Sequence, residues 1–151
     1  SITGTGNTVT AATQFLNTGT LTLGNASSGS ITFGGGLTAT APSSINLAGT
    51  ITSNGTTIIG DSNTPITLTA DTILNTSGGT AGSRSLTLGG AISGANQALT
   101  LTSGTGVLTT AAIGDAFGGL GAITITADEF NPAANIYGGS TLIVRPYTSG
   151  N

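Results

Sequence analysis

The chain contains no cysteine, methionine, tryptophan, histidine or lysine, and its only cationic side chains are Arg84 and Arg145. Without cysteine it has neither disulfides nor thiolate metal sites. Nucleophilic and acid–base catalysis then depend on carboxylates alone. Asp128 and Glu129 are adjacent and would face opposite sides of a strand, where they cannot act as a pair. We therefore predict that the chain is not an enzyme and holds no cofactor.

Charge is equally scarce, since five acidic residues and two arginines give a formal net charge of -3. No basic surface is available to bind nucleic acid. No stretch approaches the roughly 18 to 20 consecutive apolar residues of a membrane span, so we predict no membrane insertion. Residues 1–10 lack the cationic start and apolar middle of a signal peptide. We expect an internal piece of a longer exported protein, in preference to a chain from which a signal was removed.

The chain does have a short repeated phrase: an aliphatic residue, a small polar residue, and another aliphatic residue or Phe. Strict alternation of this kind indicates a strand with one face buried and the other in water. Many copies in one chain predict a stack of similar coils, each of which covers the apolar face of its neighbour. The copies are Leu21-Thr22-Leu23, Ile31-Thr32-Phe33, Ile45-Asn46-Leu47, Ile66-Thr67-Leu68, Leu86-Thr87-Leu88, Leu99-Thr100-Leu101 and Ile123-Thr124-Ile125.

The spacing of the strand starts predicts the length of a coil. Most intervals are about 20 residues long, which suits a coil of two or three short strands joined by tight turns. We predict an all-β fold, a right-handed parallel β-helix (β-solenoid) in which residues 1–151 form a single segment of about seven coils. The 13-residue step from Leu86 to Leu99 departs from this spacing and leaves the register of residues 91–102 open. The starts are Leu21, Ile45, Ile66, Leu86, Leu99, Ile123 and Leu142.

Glycine and proline lie between the predicted strands. Glycines are predicted to supply positive φ angles at sharp corners, and Pro65 and Pro146 are predicted to flank strands, where no ladder hydrogen bond is lost. Disorder is the alternative, but the mean hydropathy of +0.31 and the alternation provide apolar surface to bury. The predicted corners are Gly34-Gly35-Gly36, Asn54-Gly55, Gly78-Gly79, Gly89-Gly90, Gly118-Gly119 and Gly138-Gly139.

Residues 91–145 carry a resemblance to a known family. Its elements are an Ile-Ser-Gly-Ala turn (92–95), an Ala-Leu-Thr-Leu-Thr strand (98–102), a Gly-Thr-Gly corner (104–106) and an Ile-Thr-Ile-Thr-Ala-Asp strand (123–128). In these elements the second half of the chain resembles the repeat region of filamentous-haemagglutinin-like bacterial exoproteins, and the first half resembles it in style only. Such motifs are specific for architecture and weak for activity.

The resemblance implies a structural or adhesive role at the bacterial cell surface. The chain would be a stiff rod segment of an extracellular fibre or surface adhesin, acting in attachment or biofilm contact, with host or biofilm glycans as implied partners. The family's Asn-Pro-Asn-Gly-Ile secretion motif and the Arg-Gly-Asp integrin signal have no counterpart in the sequence. Export through an outer-membrane partner is therefore implied for a parent protein at most.

The alternation also predicts a row of outward-facing threonines. If the aliphatic residues of each phrase point inward, the central threonine points outward, and stacked coils align such residues as ladders. Solubility and β-propensity account for them, and the alternative function is a binding module whose threonine face takes ice or a glycan. The predicted ladder consists of Thr22, Thr32, Thr67, Thr87, Thr100 and Thr124.

Two strands break the alternation. Residues 57–59 and 141–144 put apolar side chains on both faces of a strand, which would expose Ile143 and one of Ile58 and Ile59. Tolerated exposure is one explanation, and contact with a neighbouring subunit is the other. Neither end of the sequence offers a helix or a charged loop as a cap. We expect coils to continue beyond both ends, as flanking coils of a longer chain or by head-to-tail stacking of copies.

Four aspartates, Asp61, Asp71, Asp115 and Asp128, raise a calcium alternative, because Ca²⁺ prefers several oxygen ligands. The Gly-Gly-x-Gly-x-Asp nonapeptide of calcium β-rolls is absent from the sequence. Capping of turns explains all four aspartates more simply.

Overall fold

The computed structural model describes residues 1–78, 84–115 and 119–148. Within these residues there is no helix, and thirteen strands pair in parallel as one continuous sheet. All seven repeated phrases form strands, and Pro65 and Pro146 flank β8 and β13 as predicted. The strands are β1 (Asn7–Val9), β2 (Thr13–Gln14), β3 (Thr20–Leu23), β4 (Ser30–Phe33), β5 (Leu37–Ala39), β6 (Ser44–Ser53), β7 (Thr57–Ile59), β8 (Ile66–Asn75), β9 (Leu86–Leu88), β10 (Ile92–Ser93), β11 (Leu99–Thr110), β12 (Ile123–Pro132) and β13 (Leu142–Arg145).

The sheet has three faces, because the long strands bend around corners. Face A contains β3, the first parts of β6 and β8, and β10, and continues through bridges at Ile2, Ile113 and Ile136. Face B contains β1, β4, the second parts of β6 and β8, the first parts of β11 and β12, and β13. Face C contains β2, β5, β7, β9 and the second parts of β11 and β12. The chain visits A, B and C in turn, so the predicted β-solenoid is confirmed.

The number of coils is close to the prediction. Face B is seven strands deep, and the chain makes about six turns. At about 4.8 Å between neighbouring strands, the stack is about 30 Å long. Coil length can be measured between successive ladder partners in a row of inward-facing residues on face B, and it varies. The coil from Leu74 to Leu101 is the longest, and the coil from Ile125 to Val144 is the shortest. The right-handed sense of the winding stays a prediction.

The faces explain the 13-residue step. Leu86 lies on face C, Ile92 on face A and Leu99 on face B. The interval from Leu86 to Leu99 therefore runs from one face to another and is not the length of a coil. On face B the true predecessor of Leu101 is Leu74. The register of residues 91–102 is thereby settled.

The core is a column of inward-facing aliphatic side chains between the three faces. Ladder partners such as Ile45 and Ile66 on face A are fully buried. Phe33 on face B is also fully buried, and its ring meets Phe15 edge to face with centroids 6.3 Å apart. Burial of one such side chain stabilises a fold by about 1.5 to 3 kcal/mol. Stability therefore comes from contacts between coils, as the repetition of the phrase predicts.

Polar residues that face inward at the corner between faces B and C bond to the backbone of that corner. Ser53 Oγ donates to the carbonyl oxygen two residues ahead at 3.0 Å. Thr76 Oγ1 donates to the carbonyl of Arg84 at 2.6 Å, and Ser103 Oγ to that of Gly106 at 2.8 Å. An unpaired buried hydroxyl would cost about 1 to 3 kcal/mol. These bonds let the corner recur in successive coils with a hydroxyl inside it.

The predicted reason for the corner glycines is right for Gly36 and wrong for the others within the described residues. Gly36 has a φ of 103°, whereas the remaining predicted corner glycines described do not have positive φ. At Gly90 the reason is space, because an added Cβ would overlap the carbonyl oxygen of Thr64 in the neighbouring coil. Close stacking of coils therefore selects glycine at such corners. Gly79 and Gly118 lie outside the described residues.

Candidate interaction surfaces

The six threonines predicted to face outward are all half-buried between buried neighbours. They do not form a single ladder. They lie on three faces: Thr22 and Thr67 on face A, Thr32, Thr100 and Thr124 on face B, and Thr87 on face C. Of the six, only Thr100 and Thr124 are direct partners. The six threonines therefore belong to separate rows and not to the single predicted ladder, because the repeated phrases are distributed over three faces.

Face B carries the most regular polar array. Its strands present two outward positions that are two residues apart, so two rows run along the solenoid. The repeated phrase predicts only one of these positions in each strand, and the signal for the second is the Thr-x-Thr spacing at residues 50–52, 100–102 and 124–126. The first row is Ser30, Thr50, Ile73, Thr100, Thr124 and Ile143. The second row is Thr8, Thr32, Thr52, Asn75, Thr102, Thr126 and Arg145.

The array is polar and carries a single charge. The hydroxyls of Thr100 and Thr124 make no hydrogen bond within the described residues, which leaves them to water or a ligand. Arg145 ends the second row, where its Nε donates to Thr126 Oγ1 at 3.1 Å. Ile73 is 41% exposed and interrupts the first row. Face B can therefore offer hydroxyl and methyl groups at strand spacing in two stretches, one on each side of Ile73.

The outward apolar residues lie on different faces. Ile59 is fully buried, whereas Ile58 faces outward on face C and is half-buried, which decides the choice left open by the sequence. Ile143 is 45% exposed on face B. Ile73 is a further outward isoleucine, which alternation with its buried neighbours Thr72 and Leu74 reveals. Ile58 and Ile143 do not share a face, so they cannot form one contact patch.

Two of the aspartates bond to nearby turn or strand amides. Asp61 Oδ1 accepts hydrogen bonds from the backbone N of Asn63 and from Thr64 Oγ1, both at 2.9 Å. Asp71 Oδ1 accepts one from the backbone N of Ala98 at 2.9 Å. The described part of the chain contains no group of three or more His, Cys, Asp or Glu side chains that could hold a metal ion. Asp61 thus caps its own turn, whereas Asp71 links two successive coils.

Asp128 holds the segment that follows β13. Its Oδ1 accepts hydrogen bonds from the backbone N of Tyr147 at 2.9 Å and of Thr148 at 2.8 Å, and Oδ2 accepts one from Thr148 Oγ1 at 2.9 Å. These bonds favour the charged carboxylate and lower the pKa of Asp128, the Thr148 amide having the largest effect. The pKa of Asp61 is lowered in the same way, chiefly by the Asn63 amide.

A shallow groove of about 390 Å³ lies at the N-terminal end of face C. Its lining includes Thr13, Gln14, Leu37, Thr38 and Thr56, with glycine and alanine between them. The polar groups of this lining are hydroxyls, one carboxamide and backbone atoms. The groove can hydrogen-bond a polar ligand, but its lining supplies no acid or base.

Both ends of the solenoid leave core side chains uncovered. Leu142 and Val144 continue the inward rows of face B at the C-terminal end, where they are 49% and 52% exposed. At the N-terminal end, Ile2, Val9 and Phe15 pack against the core but are only partly buried. Among the described residues, β1 pairs only with β4 and β13 pairs only with β12.

Comparisons with family models, with curated proteins and with solved structures yield no match for the chain. The described residues contain no helix with the length and apolarity needed to cross a membrane. The resemblance to filamentous-haemagglutinin-like repeats stays a prediction.

Proposed function

We propose that the chain is a structural segment of a bacterial extracellular fibre or surface adhesin, in which it acts as a stiff rod in attachment or biofilm contact. The observation that supports this most is the single parallel sheet that runs through all the described coils. Such a body is held together by contacts between successive coils. It spans a distance set by the number of coils and carries load along one axis.

Backbone bonds between coils also support a mechanical role. They continue outside the named strands, for example from Ile45 N to the carbonyl of Pro65 at 3.0 Å and from Ile66 N to that of Ala91 at 2.9 Å. A coil can leave the stack only if these bonds and the buried aliphatic contacts break together. Resistance to bending and extension follows from this arrangement without any disulfide.

We assign no reaction to the chain. The Asp61 and Asp128 carboxylates accept hydrogen bonds from turns, and Glu129 Oε1 accepts one from Asn131 Nδ2 at 3.1 Å. None of these three groups lines the groove on face C. A general base near a bound ligand is therefore not part of the proposed function.

Replacement by a flexible segment tests the rod role. The chain is displayed on bacteria between an outer-membrane anchor and an adhesive tip domain. A second strain carries a Gly/Ser linker of about 30 residues, whose root-mean-square span matches the length of the solenoid. We expect stronger attachment under flow with the solenoid, because it holds the tip at a fixed distance. Equal attachment in the two strains would contradict the proposal.

A second candidate function is a binding module whose face B takes ice or a glycan. The two-row array favours it, because four strands of face B carry Ser or Thr at both outward positions. A flat array of hydroxyl and methyl groups can order water or pack against a sugar ring. Ile73 and Asn75 divide the array, which weighs against one continuous ice-binding surface.

Lysine substitutions on one face at a time distinguish the binding function from the rod function. Thr100→Lys with Thr124→Lys alters face B, and Thr22→Lys with Thr67→Lys is the matched change on face A. If face B binds, thermal hysteresis or glycan-array binding is lost in the first variant and kept in the second. No thermal hysteresis and no glycan binding by the unaltered chain at high concentration would remove this candidate.

A further inference from the structure

We infer that Asn54 is a site of spontaneous chemical modification, at which the folded chain converts asparagine to aspartate and isoaspartate through a cyclic imide. The inference goes beyond the rod function and does not depend on it. Asn54 and Gly55 lie at the corner between β6 on face B and β7 on face C. They are the only Asn-Gly pair in the sequence, which contains no Asp-Gly pair.

The reaction needs only groups of these two residues and water. The Gly55 backbone nitrogen attacks Cγ of Asn54, and the new N–C bond closes a five-membered succinimide ring. The carboxamide nitrogen leaves as ammonia, with the proton that the Gly55 amide gives up. Water then opens the ring at Cγ to give aspartate, or at the main-chain carbonyl carbon to give isoaspartate. Glycine favours the attack because it has no Cβ beside the nitrogen and leaves the backbone free to turn.

The attacking nitrogen lies outside the ladders that hold the coils together. Gly55 N donates only to Ser53 Oγ, at 3.4 Å, which is longer than the usual range of about 2.7 to 3.2 Å. The preceding amide, Asn54 N, bonds to the carbonyl of Phe33 in the neighbouring coil at 2.9 Å. Asn54 N is not an atom of the succinimide ring, so ring closure does not require that bond to break. The corner thus keeps its place while the Gly55 nitrogen is only weakly held.

The carboxamide under attack is equally unrestrained. The Asn54 side chain is half-buried and makes no hydrogen bond within the described residues. Its Oδ1 lies beside Gly78 of the next coil, which has no side chain to cover it. Thr56 and Gly78 are both exposed, so water reaches this side of the corner and can open the ring.

Asn75, at the same corner of the next coil, shows the opposite arrangement. Its Oδ1 accepts hydrogen bonds from the backbone N of Ser77 at 2.8 Å and from Ser77 Oγ at 2.7 Å. The amide that follows it, Thr76 N, donates to the carbonyl of Thr102 in the adjacent coil at 2.8 Å. Carboxamide and nitrogen are both engaged there, so the fold exposes Asn54 to the reaction and protects Asn75.

Conversion alters a tightly packed and uncharged part of the solenoid. Residues 1–60 contain no charged side chain, and either product adds a carboxylate. Isoaspartate also lengthens the main chain by one atom. A Cβ at Gly55 would overlap the carbonyl oxygen of Gly35 in the neighbouring coil, so a longer main chain at this corner must displace that coil. We therefore expect the isoaspartate form to unfold at a lower denaturant concentration than the aspartate form.

Mass spectrometry of the folded chain tests the assignment. The chain is kept at mildly alkaline pH below its unfolding temperature, peptide mapping follows the change from amide to acid, and an isoaspartate methyltransferase labels the iso form. We expect Asn54 to convert before any other asparagine, at a rate that rises with pH because the attacking amide must lose its proton. Asn54→Gln, which could close only a six-membered ring, should lack the conversion.

Two outcomes of this experiment would overturn the inference. One is faster conversion at Asn25, which is exposed in a turn of the folded chain. The other is no conversion of Asn54 in the folded chain over a period in which the chain unfolded in urea converts there, since the fold would then protect the site.

Thr76→Gly separates the effect of the structure from that of the dipeptide, because it places a second Asn-Gly pair at Asn75. The variant keeps the backbone bond to Thr102 and both bonds from Ser77. In the folded variant we expect Asn75 to convert about 10-fold more slowly than Asn54, a factor that one to three hydrogen bonds supply. In urea the two sites should convert at similar rates. Equal rates in the folded variant, checked by circular dichroism, would show that the dipeptide alone decides and would overturn the inference.

Discussion

Gly90 lies directly against the carbonyl oxygen of Thr64 in the neighbouring coil, with no room between them for a side chain. Its φ is not positive, so the requirement is steric. Contacts of this kind set the distance between coils at the corner that precedes face A. A single carbon atom added at this corner is therefore expected to disturb the stacking of the coils.

We expect Gly90→Ala to lower the free energy of unfolding by about 1 to 3 kcal/mol, because the added Cβ must push two coils apart. The measurement is the midpoint of denaturant unfolding followed by circular dichroism. Gly19→Ala is the control, because nothing lies within 4 Å of a Cβ at that position. Equal midpoints for the two variants would show that the corner relaxes freely.

Thr110→Val should stabilise the chain. The Thr110 side chain is 0% exposed, and its Oγ1 has no hydrogen bond partner within the described residues. Replacing that hydroxyl by a methyl group of similar size removes a desolvation cost of about 1 kcal/mol. Thr109→Val, on the outward side of the same strand, should change the unfolding midpoint little. A loss of stability in Thr110→Val would mean that the hydroxyl has a partner after all.

Phe33→Ala should be among the most damaging single substitutions. The ring is fully buried in the second coil, and its loss leaves a cavity that costs about 3 to 5 kcal/mol. Phe15→Ala removes the ring that packs edge to face on it, but Phe15 is partly exposed on the terminal coil. We therefore expect a smaller shift of the unfolding midpoint for Phe15→Ala. The reverse order would contradict the placement of the core.

Acid should release the segment that Asp128 holds. The Thr148 amide is the main cause of the lowered pKa of Asp128 in the folded chain. A lowered pKa stabilises the fold above the unfolded pKa of about 3.9, and this stabilisation is lost as the pH falls through the folded pKa. We expect the backbone amide resonances of Tyr147 and Thr148 to titrate together below about pH 4. Asp128→Asn should abolish this titration, and Glu129→Gln should keep it. Amide shifts that follow Glu129 instead would assign the contact to the wrong carboxylate.

Local patterns predict the strands well and their faces poorly. The alternation in Leu86-Thr87-Leu88 and in Leu99-Thr100-Leu101 identifies both segments as strands. It does not show that one lies on face C and the other on face B, because the pleat has the same period on every face. A face depends on how many corners the chain has turned. The 13-residue interval from Leu86 to Leu99 therefore looks like a short, irregular coil, although it only measures the distance from one face to another.

The outward rows of face B were likewise predictable from the sequence only in part. Alternation correctly places Thr100 and Thr124 outward, but their outer neighbours across the ladder, Ile73 and Ile143, come from the coils before and after them. Ile73 enters the same row only through this pairing. The second row of the array becomes visible only when the registers of all seven strands of face B are known.

The sequence by itself determines that this chain is all-β, built of repeating coils, poor in charge and dependent on stacking, because those properties follow from local alternation and composition. The tertiary structure decides which coils are neighbours, which glycines are needed for space, and which threonines share a face. These depend on long-range parallel pairing, in which each partner is set by the path of a whole coil and not by the residues beside it.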